Sequence, residues 1–445
     1  MRARTVLRRT AAAVTFLLLT VALAELGACV LLRSSLTTLP SRPEIQASLE
    51  PAGRSEAGRR TPDGALLPEF MQQDVLHPYL GFVRNPEIGR HVFNDRVIEE
   101  PVNEYGFFGP SPLEARDPGT WSVAITGGSV ATDFYLRSSE LLRSGLRESL
   151  GLSDGRIRIL CLALGGMKQP QQLLALVYFL SLGASFDVVV NLDGFNEVAL
   201  PFAENLPAGL PVSLPRSWHL YTAPIADARS ALLLAEIAET RGQIERARGF
   251  FSREPLRRSS LSLILWNRLH HRLRSELLAL EKRRSDLLLG SDRGPHPSAM
   301  RPIEEVLVEA AELWSRSSIQ MWKACRSNGS VYVHVLQPNQ YVAGSKPLDA
   351  RERRIAWPPE VPYRRAAEKG YPLLIAEGER LKRLGVPFLD LTRLFEAETG
   401  RIYADHCCHY NQRGNDMLAA EIARFVAASV EAAGASPAKR LEPVR

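Results

Sequence analysis

Five positions of this chain carry residue types that could do chemistry together: Ser129, Asn196, Asp405, His409 and a glycine at 165 or 166. A serine hydroxyl is a usable nucleophile once a base takes its proton, and a histidine base needs an acid to fix its tautomer. Ser129 stands in Gly127-Gly128-Ser129-Val130, where glycines permit a tight turn that exposes a hydroxyl beside backbone amides. The same pattern also fits a plain helix cap. Asp405-His-Cys-Cys-His409 offers acid and base within one loop. Of nine histidines, His270 and His271 fall in a helical run and His334 within a strand, while His77, His91, His219 and His296 lie away from strand ends. His406 then remains as the competitor to His409. Asn196, in Asp193-Gly-Phe-Asn-Glu197, presents an amide suited to an oxyanion, and an N–H of Gly166, or alternatively Gly165, has no Cβ to obstruct it. Ordinary turns account for those two motifs equally well.

These groups need a scaffold, and the hydrophobic pattern describes one. Continuous apolar runs at 121–126, 156–164, 186–192, 330–336 and 386–391 read as buried strands. Helical patterns at 136–150, 171–182, 303–326 and 371–384 separate them, and another at 417–428 follows. Such alternation predicts a parallel sheet covered on both faces, hence a three-layer α/β/α domain. In that architecture ligands and catalytic groups collect at strand C-termini, where all the candidate residues fall. Residues 202–300 break the pattern with a proline-rich loop and two helical runs, 226–251 and 256–289. They read as a helical insertion. Its basic face (Arg253, Arg257, Arg258, Arg272, Arg274) would suit anionic lipid or an envelope protein partner, and a simple packing hairpin is the plainer alternative.

The chain has 445 residues, 45% hydrophobic and 23% charged, an ordinary globular composition. Part of its net charge of +6 comes from Arg2, Arg4, Arg8 and Arg9, which precede a nearly unbroken apolar run from Ala11 to Leu32. At about 1.5 Å per residue that run can just cross a hydrocarbon core of roughly 30 Å. The positive-inside rule then leaves the start of the chain in the cytoplasm and the rest outside, as a single-pass protein of a bacterial inner membrane facing the periplasm. A cleaved signal peptide is the rival reading, and Glu25 is an expensive residue within a span. No basic stripe interleaved with aromatics signals nucleic acid. The five cysteines (Cys29, Cys161, Cys325, Cys407, Cys408) lack the spacing of a structural zinc site, so no metal or other cofactor is expected. In an oxidising compartment Cys325 is a candidate partner for Cys407 or Cys408.

The serine, glycine, asparagine and Asp/His blocks, in this order at strand ends, resemble the SGNH (GDSL-like) hydrolase superfamily. That resemblance implies a flavodoxin-like α/β/α fold, Ser129 as nucleophile, His409 as base and Asp405 as its acid. It implies an oxyanion hole from the N–H groups of Ser129 and Gly166 and the amide of Asn196. The chain departs from the family pattern in three places: Gly128 replaces an acidic residue, Glu197 ends the third block, and Asp405 precedes His409 by four positions instead of three. An ester hydrolase or O-acyltransferase follows as the expectation, with an acylated small molecule or envelope glycan as substrate. A glycan-binding or assembly protein that keeps the fold is the alternative. The expected organisation is an anchor at 1–33, a tether at 34–75, the α/β domain at 76–201 and 301–435, the insertion at 202–300, and a tail at 436–445.

Overall fold

A computed structural model describes residues 2–33, 40–49, 73–89, 91–94, 96–152, 156–207, 210–218, 221, 228–289, 301–358 and 361–435. The expected tail and most of the expected tether lie outside these residues. The chain divides into two units: Met1–Gln72 with Thr222–Ser291, and Gln73–Tyr221 with Asp292–Arg445.

The second unit is built on a parallel sheet, preceded by two short antiparallel hairpins. The hairpins are β1 (Asp74–His77) with β2 (Gly81–Arg84), and β3 (His91–Phe93) with β4 (Arg96–Ile98). Strands of three or four residues show too little alternation to be read from sequence. The sheet comprises β5 (Trp121–Gly127), β6 (Ile157–Ala163), β7 (Val188–Asp193), β8 (Val331–Leu336) and β9 (Phe388–Asp390), in the order β6-β5-β7-β8-β9 with every pairing parallel. This is the flavodoxin-like order, in which the chain leaves the first strand on one side and returns on the other. β5, β7 and β8 are buried along their whole length, which is why they appear as unbroken apolar runs.

Helices α1 (Ser129–Leu150) and α7 (Gln412–Ala432) pack together over one face of the sheet. Helices α2 (Gln171–Ser181), α4 (Ile303–Ser327) and α6 (Pro362–Arg383) pack over the other, with the short α3 (Phe195–Leu200) beside α4 and α6, and α5 (Ala350–Ala356) preceding α6. Three of these helices start earlier than expected. α1 begins at Ser129 itself, α6 opens on Pro362 and carries Pro372 in its interior, and α7 starts after Asn411, whose side chain accepts the Gly414 N–H at 3.0 Å. Proline at the first helical position and an Asn cap are start signals that the apolar periodicity by itself conceals.

A chain of buried polar groups crosses the sheet. Thr126 Oγ1 donates to Asn191 Oδ1 at 2.7 Å, and Asn191 Nδ2 donates to Asp193 Oδ2 at 2.7 Å. Asp193 Oδ1 accepts from Trp314 Nε1 at 2.7 Å and lies 2.9 Å from His334 Nε2, while His334 Nδ1 meets Ser318 Oγ at 2.7 Å. His334 is thus a satisfied core histidine.

Residues 202–221 belong to this α/β unit, which moves the start of the helical portion from 202 to 222. The reason is a hydrogen-bonded loop. Buried Lys168 donates to the carbonyls of Val212 and Leu214, and Asn205 Nδ2 donates to those of Pro211 and Leu214, both at 3.1 Å.

The first unit is helical, with Arg2–Arg33, Arg42–Ala47, Ala228–Phe251 and Ser260–Leu289. The last helix starts four residues later than expected, because Ser259 caps it by accepting the Ser262 N–H at 3.1 Å. Its core gathers Ile45, Leu49, Ile244, Leu263, Trp266 and Leu273. Glu25 accepts hydrogen bonds from Ser259 Oγ at 2.7 Å, Leu261 N at 3.1 Å and Ser260 N, so its charge sits at a helix N-terminus. Part of the expected membrane span, including the side chains of Ala11–Val14, Leu17 and Leu18, lies outside the described residues. Among the described residues no helix is long and apolar enough to cross a membrane.

Removing the Asp193 carboxylate strands Asn191, Trp314 and His334 without their acceptor. Asp193→Ala is expected to destabilise the α/β unit by about 3 kcal/mol or more. A chemical-denaturation midpoint unchanged from the parent chain would contradict this.

Candidate active site

The reversal of strand order between β5 and β7 opens a crevice at their C-terminal ends. Gly127 ends β5 with φ at +148°, and Ser129 follows as the first residue of α1, partly exposed. Its N–H is among the first four amides that an α-helix leaves without an intrahelical partner. The expectation of a serine presented at a helix start is met by the backbone, and its capping alternative is not: Gly128 occupies the cap position.

Asn196 lies in α3, just after β7, and its Nδ2 donates to the Met167 carbonyl at 2.8 Å. A Cβ on Gly128 would collide with that same amide. Here lies the physical reason for glycine at this position: Asn196 occupies the space. Met167 adjoins Gly166, so the loops after β5, β6 and β7 meet at one point. Gly166 has φ at +82°, and a Cβ there would strike the Arg216 side chain. Gly165 is in ordinary contact range of Ser129 Cβ, 3.9 Å from where its own Cβ would sit. Glu197 fastens these loops. Its carboxylate accepts from Gly194 N at 3.1 Å, Gln169 N at 3.2 Å and Gln172 Nε2 at 3.1 Å. Burial and the nearby Asp193 carboxylate raise its pKa.

Asp405 organises the last block. Its Oδ1 accepts the backbone N–H groups of Cys407, Cys408 and His409 at 2.9, 3.0 and 3.3 Å, and its Oδ2 lies 2.5 Å from His409 Nδ1. One carboxylate therefore folds the turn and orients the ring, which is how a spacing of four residues brings acid and base together. The loop after β8 grips this turn: Asn339 Nδ2 donates to the Cys407 carbonyl at 3.2 Å, Gln340 Nε2 to that of Asp405 at 3.3 Å, and Tyr341 Oη to that of His406 at 2.5 Å. His406 is exposed, whereas His409 is 8% exposed and held by Asp405. Phe93 of β3 covers the His409 ring edge-on, with centroids 6.2 Å apart.

Burial depresses the His409 imidazole, and the Asp405 carboxylate more than offsets it, so its pKa rises to about 9. Burial likewise pushes Asp405 up, but the His409 charge and the hydrogen bonds it accepts hold it at about 2. Both shifts describe one carboxylate–imidazolium pair.

Ser129 and His409 are brought to the same crevice without a direct bond. The Ser129 side chain lies beside the Cys408 thiol, and His409 Nε2, buried, has no partner among the described residues. Sequence reasoning missed Cys408 as the serine's neighbour, although its place beside His409 was the available signal. It also missed Arg216, which is paired with Glu204 and lies over Gly166 from a loop with no catalytic motif. The cysteines are all free. Cys325 does not pair with Cys407 or Cys408, because it ends α4 near the start of β8 while they stand at the strand C-termini.

No family model matches the sequence. No curated protein matches it. Among solved structures, the chain is similar to a protein assigned as an acylhydrolase from Bacteroides fragilis NCTC 9343, with 11% identity over 73% of this chain and 91% of that one at a TM-score of 0.32. A GDSL-like lipase from Bacteroides thetaiotaomicron VPI-5482 shares 11% identity over 70% of this chain and 88% of that one, at 0.31. An acetyl xylan esterase shares 13% over 69% and 99%, at 0.32.

Titration of labelled His409 by NMR is expected to place its pKa near 9. In Asp405→Asn the main opposition to burial is gone and the value should drop below the ordinary ~6.5. Because the folded pKa of His409 is raised and that of Asp405 lowered, the pair's stabilisation is complete between about pH 4 and 6.5. It is lost as pH rises through about 9 or falls through about 2. A His409 pKa unaffected by Asp405→Asn would refute the coupling.

Proposed function

We propose that this chain is a serine ester hydrolase whose reaction passes through an acyl-serine. The observation that carries the reading is the meeting, at the sheet's switch point, of a helix-start serine with a buried His409 ring oriented by Asp405. In the proposed mechanism substrate entry draws the Ser129 hydroxyl from Cys408 to His409 Nε2. Neutral His409 takes the proton as Oγ attacks the ester carbonyl. The Ser129 and Gly166 N–H groups and the second Asn196 amide hydrogen stabilise the oxyanion. Imidazolium His409 then protonates the departing alcohol, and a water activated by the same ring releases the acid. A sugar hydroxyl in place of that water makes the enzyme an O-acyltransferase. The base must be neutral, so kcat/KM should climb with pH toward about 9.

An envelope location completes the proposal. The basic residues Arg2, Arg4, Arg8 and Arg9, the 32-residue helix Arg2–Arg33, and the exposure of Phe16, Leu19, Leu23, Leu26 and Val30 along it support an anchor with the α/β unit on the periplasmic side. Esters of envelope or exported glycans are the substrates that such a placement would favour.

A fluorophosphonate probe should label the folded chain at Ser129 and fail on Ser129→Ala. Against an activated ester, Ser129→Ala should lower kcat by about 10⁴-fold or more, and Asn196→Ala by about 10²–10³-fold. A well-folded chain that neither labels nor hydrolyses any ester in an acetylated-glycan and acyl-ester panel would favour a binding protein that retains the fold.

A further inference from the structure

Ester chemistry leaves two groups of the crevice unused, the thiols of Cys407 and Cys408. Their sulfurs lie 2.9 Å apart, and ligand atoms of Cys407, Cys408 and His409 all fall within 4.8 Å of one another. Thiolate sulfur and imidazole nitrogen are the donors that zinc-like cations prefer, with three protein ligands and one open position at a reactive site. Two sulfurs on one tetrahedral zinc stand about 3.8 Å apart, so this pair needs to open by only about 1 Å.

The surroundings fit a ligand set as well. Asp405 holds His409 through Nδ1 at 2.5 Å, and Nε2 is left buried without a partner among the described residues. A carboxylate on one ring nitrogen orients the other toward a metal and raises its basicity. The carbonyls flanking the thiols are fixed by Asn339, Gln340 and Tyr341, so the donors sit on a braced turn. The Ser129 side chain lies beside Cys408.

We propose that Cys407, Cys408 and His409 form a binding site for a thiophilic divalent cation such as zinc, and that its occupation silences the serine by consuming its base. The second half rests on the ester-hydrolase reading; the first does not. Binding forms two metal–sulfur bonds and one metal–nitrogen bond and releases to solvent both thiol protons and, below about pH 9, the Nε2 proton of imidazolium His409, with nothing oxidised or reduced.

The test uses the purified, thiol-reduced full chain and Co²⁺ as a spectroscopic probe. One equivalent should produce a thiolate-to-cobalt charge-transfer band that Zn²⁺ displaces. Ser129→Ala should keep the band, and Cys407→Ala, altered at a partly exposed position, should lose it. Equimolar Zn²⁺ should reduce fluorophosphonate labelling of the parent chain about tenfold or more, reversibly with chelator. Cys407→Ala should label normally and need on the order of 100-fold more zinc for the same loss. Absence of the band in folded parent chain, or equal zinc sensitivity in Cys407→Ala, would overturn the proposal. A chain that shows the band but never labels would keep the metal site and remove the ester chemistry, so the two failures are distinguishable.

Discussion

The structure of the candidate site depends on one topological constraint: β5 lies inside a parallel sheet whose next two strands depart in opposite directions. Backbone crossing over from β5 to β6 covers one face, and the return to β7 uses the other side of β5. The space above the C-termini of β5 and β7 is thereby left to the segments that follow the strands. Those loops carry Ser129 and Asn196, and the approach is close enough that only glycine fits at 128. Buried polar bonding from Thr126 through Asn191 to Asp193 ties the same two strands just below the crevice.

Electrostatics in the crevice rest on a single carboxylate. Asp405 accepts three backbone amides with one oxygen and faces the His409 ring with the other. Local folding of the turn and tautomer choice at the base are therefore one event. Burial would normally neutralise both members of such a pair, and their opposed shifts show that mutual attraction outweighs desolvation here. A second buried carboxylate, Glu197, uses backbone amides in a different way, stapling the Gly194 and Gln169 loops so that Asn196 and Gly166 face the same point. The vicinal thiols sit within this charged surround, beside the serine.

In the helical unit, Glu25 illustrates how an acidic residue is accommodated in an apolar helix. Read along the sequence it interrupts a hydrophobic run; in the fold it meets Ser259, Ser260 and Leu261 at the start of the helix Ser260–Leu289. The helix terminus supplies the partial positive charge and the unpaired N–H groups that such a carboxylate needs.

Strand positions, the parallel sheet and the placement of Ser129 and Asn196 at strand ends were legible in the sequence because burial on both faces writes itself as continuous apolar runs, and turn chemistry marks where they end. Short hairpin strands, the early starts of α1, α6 and α7, and the membership of residues 202–221 were not, since each depends on caps or on hydrogen bonds between distant segments. Only tertiary structure decided which glycine faces which partner, that Arg216 covers Gly166, and that Ser129 lies beside Cys408 while His409 Nε2 has no partner among the described residues. Spacing along a chain specifies what a loop contains. Which side chains share a crevice is set by the packing of loops from four different strands, and that information lies in no single segment.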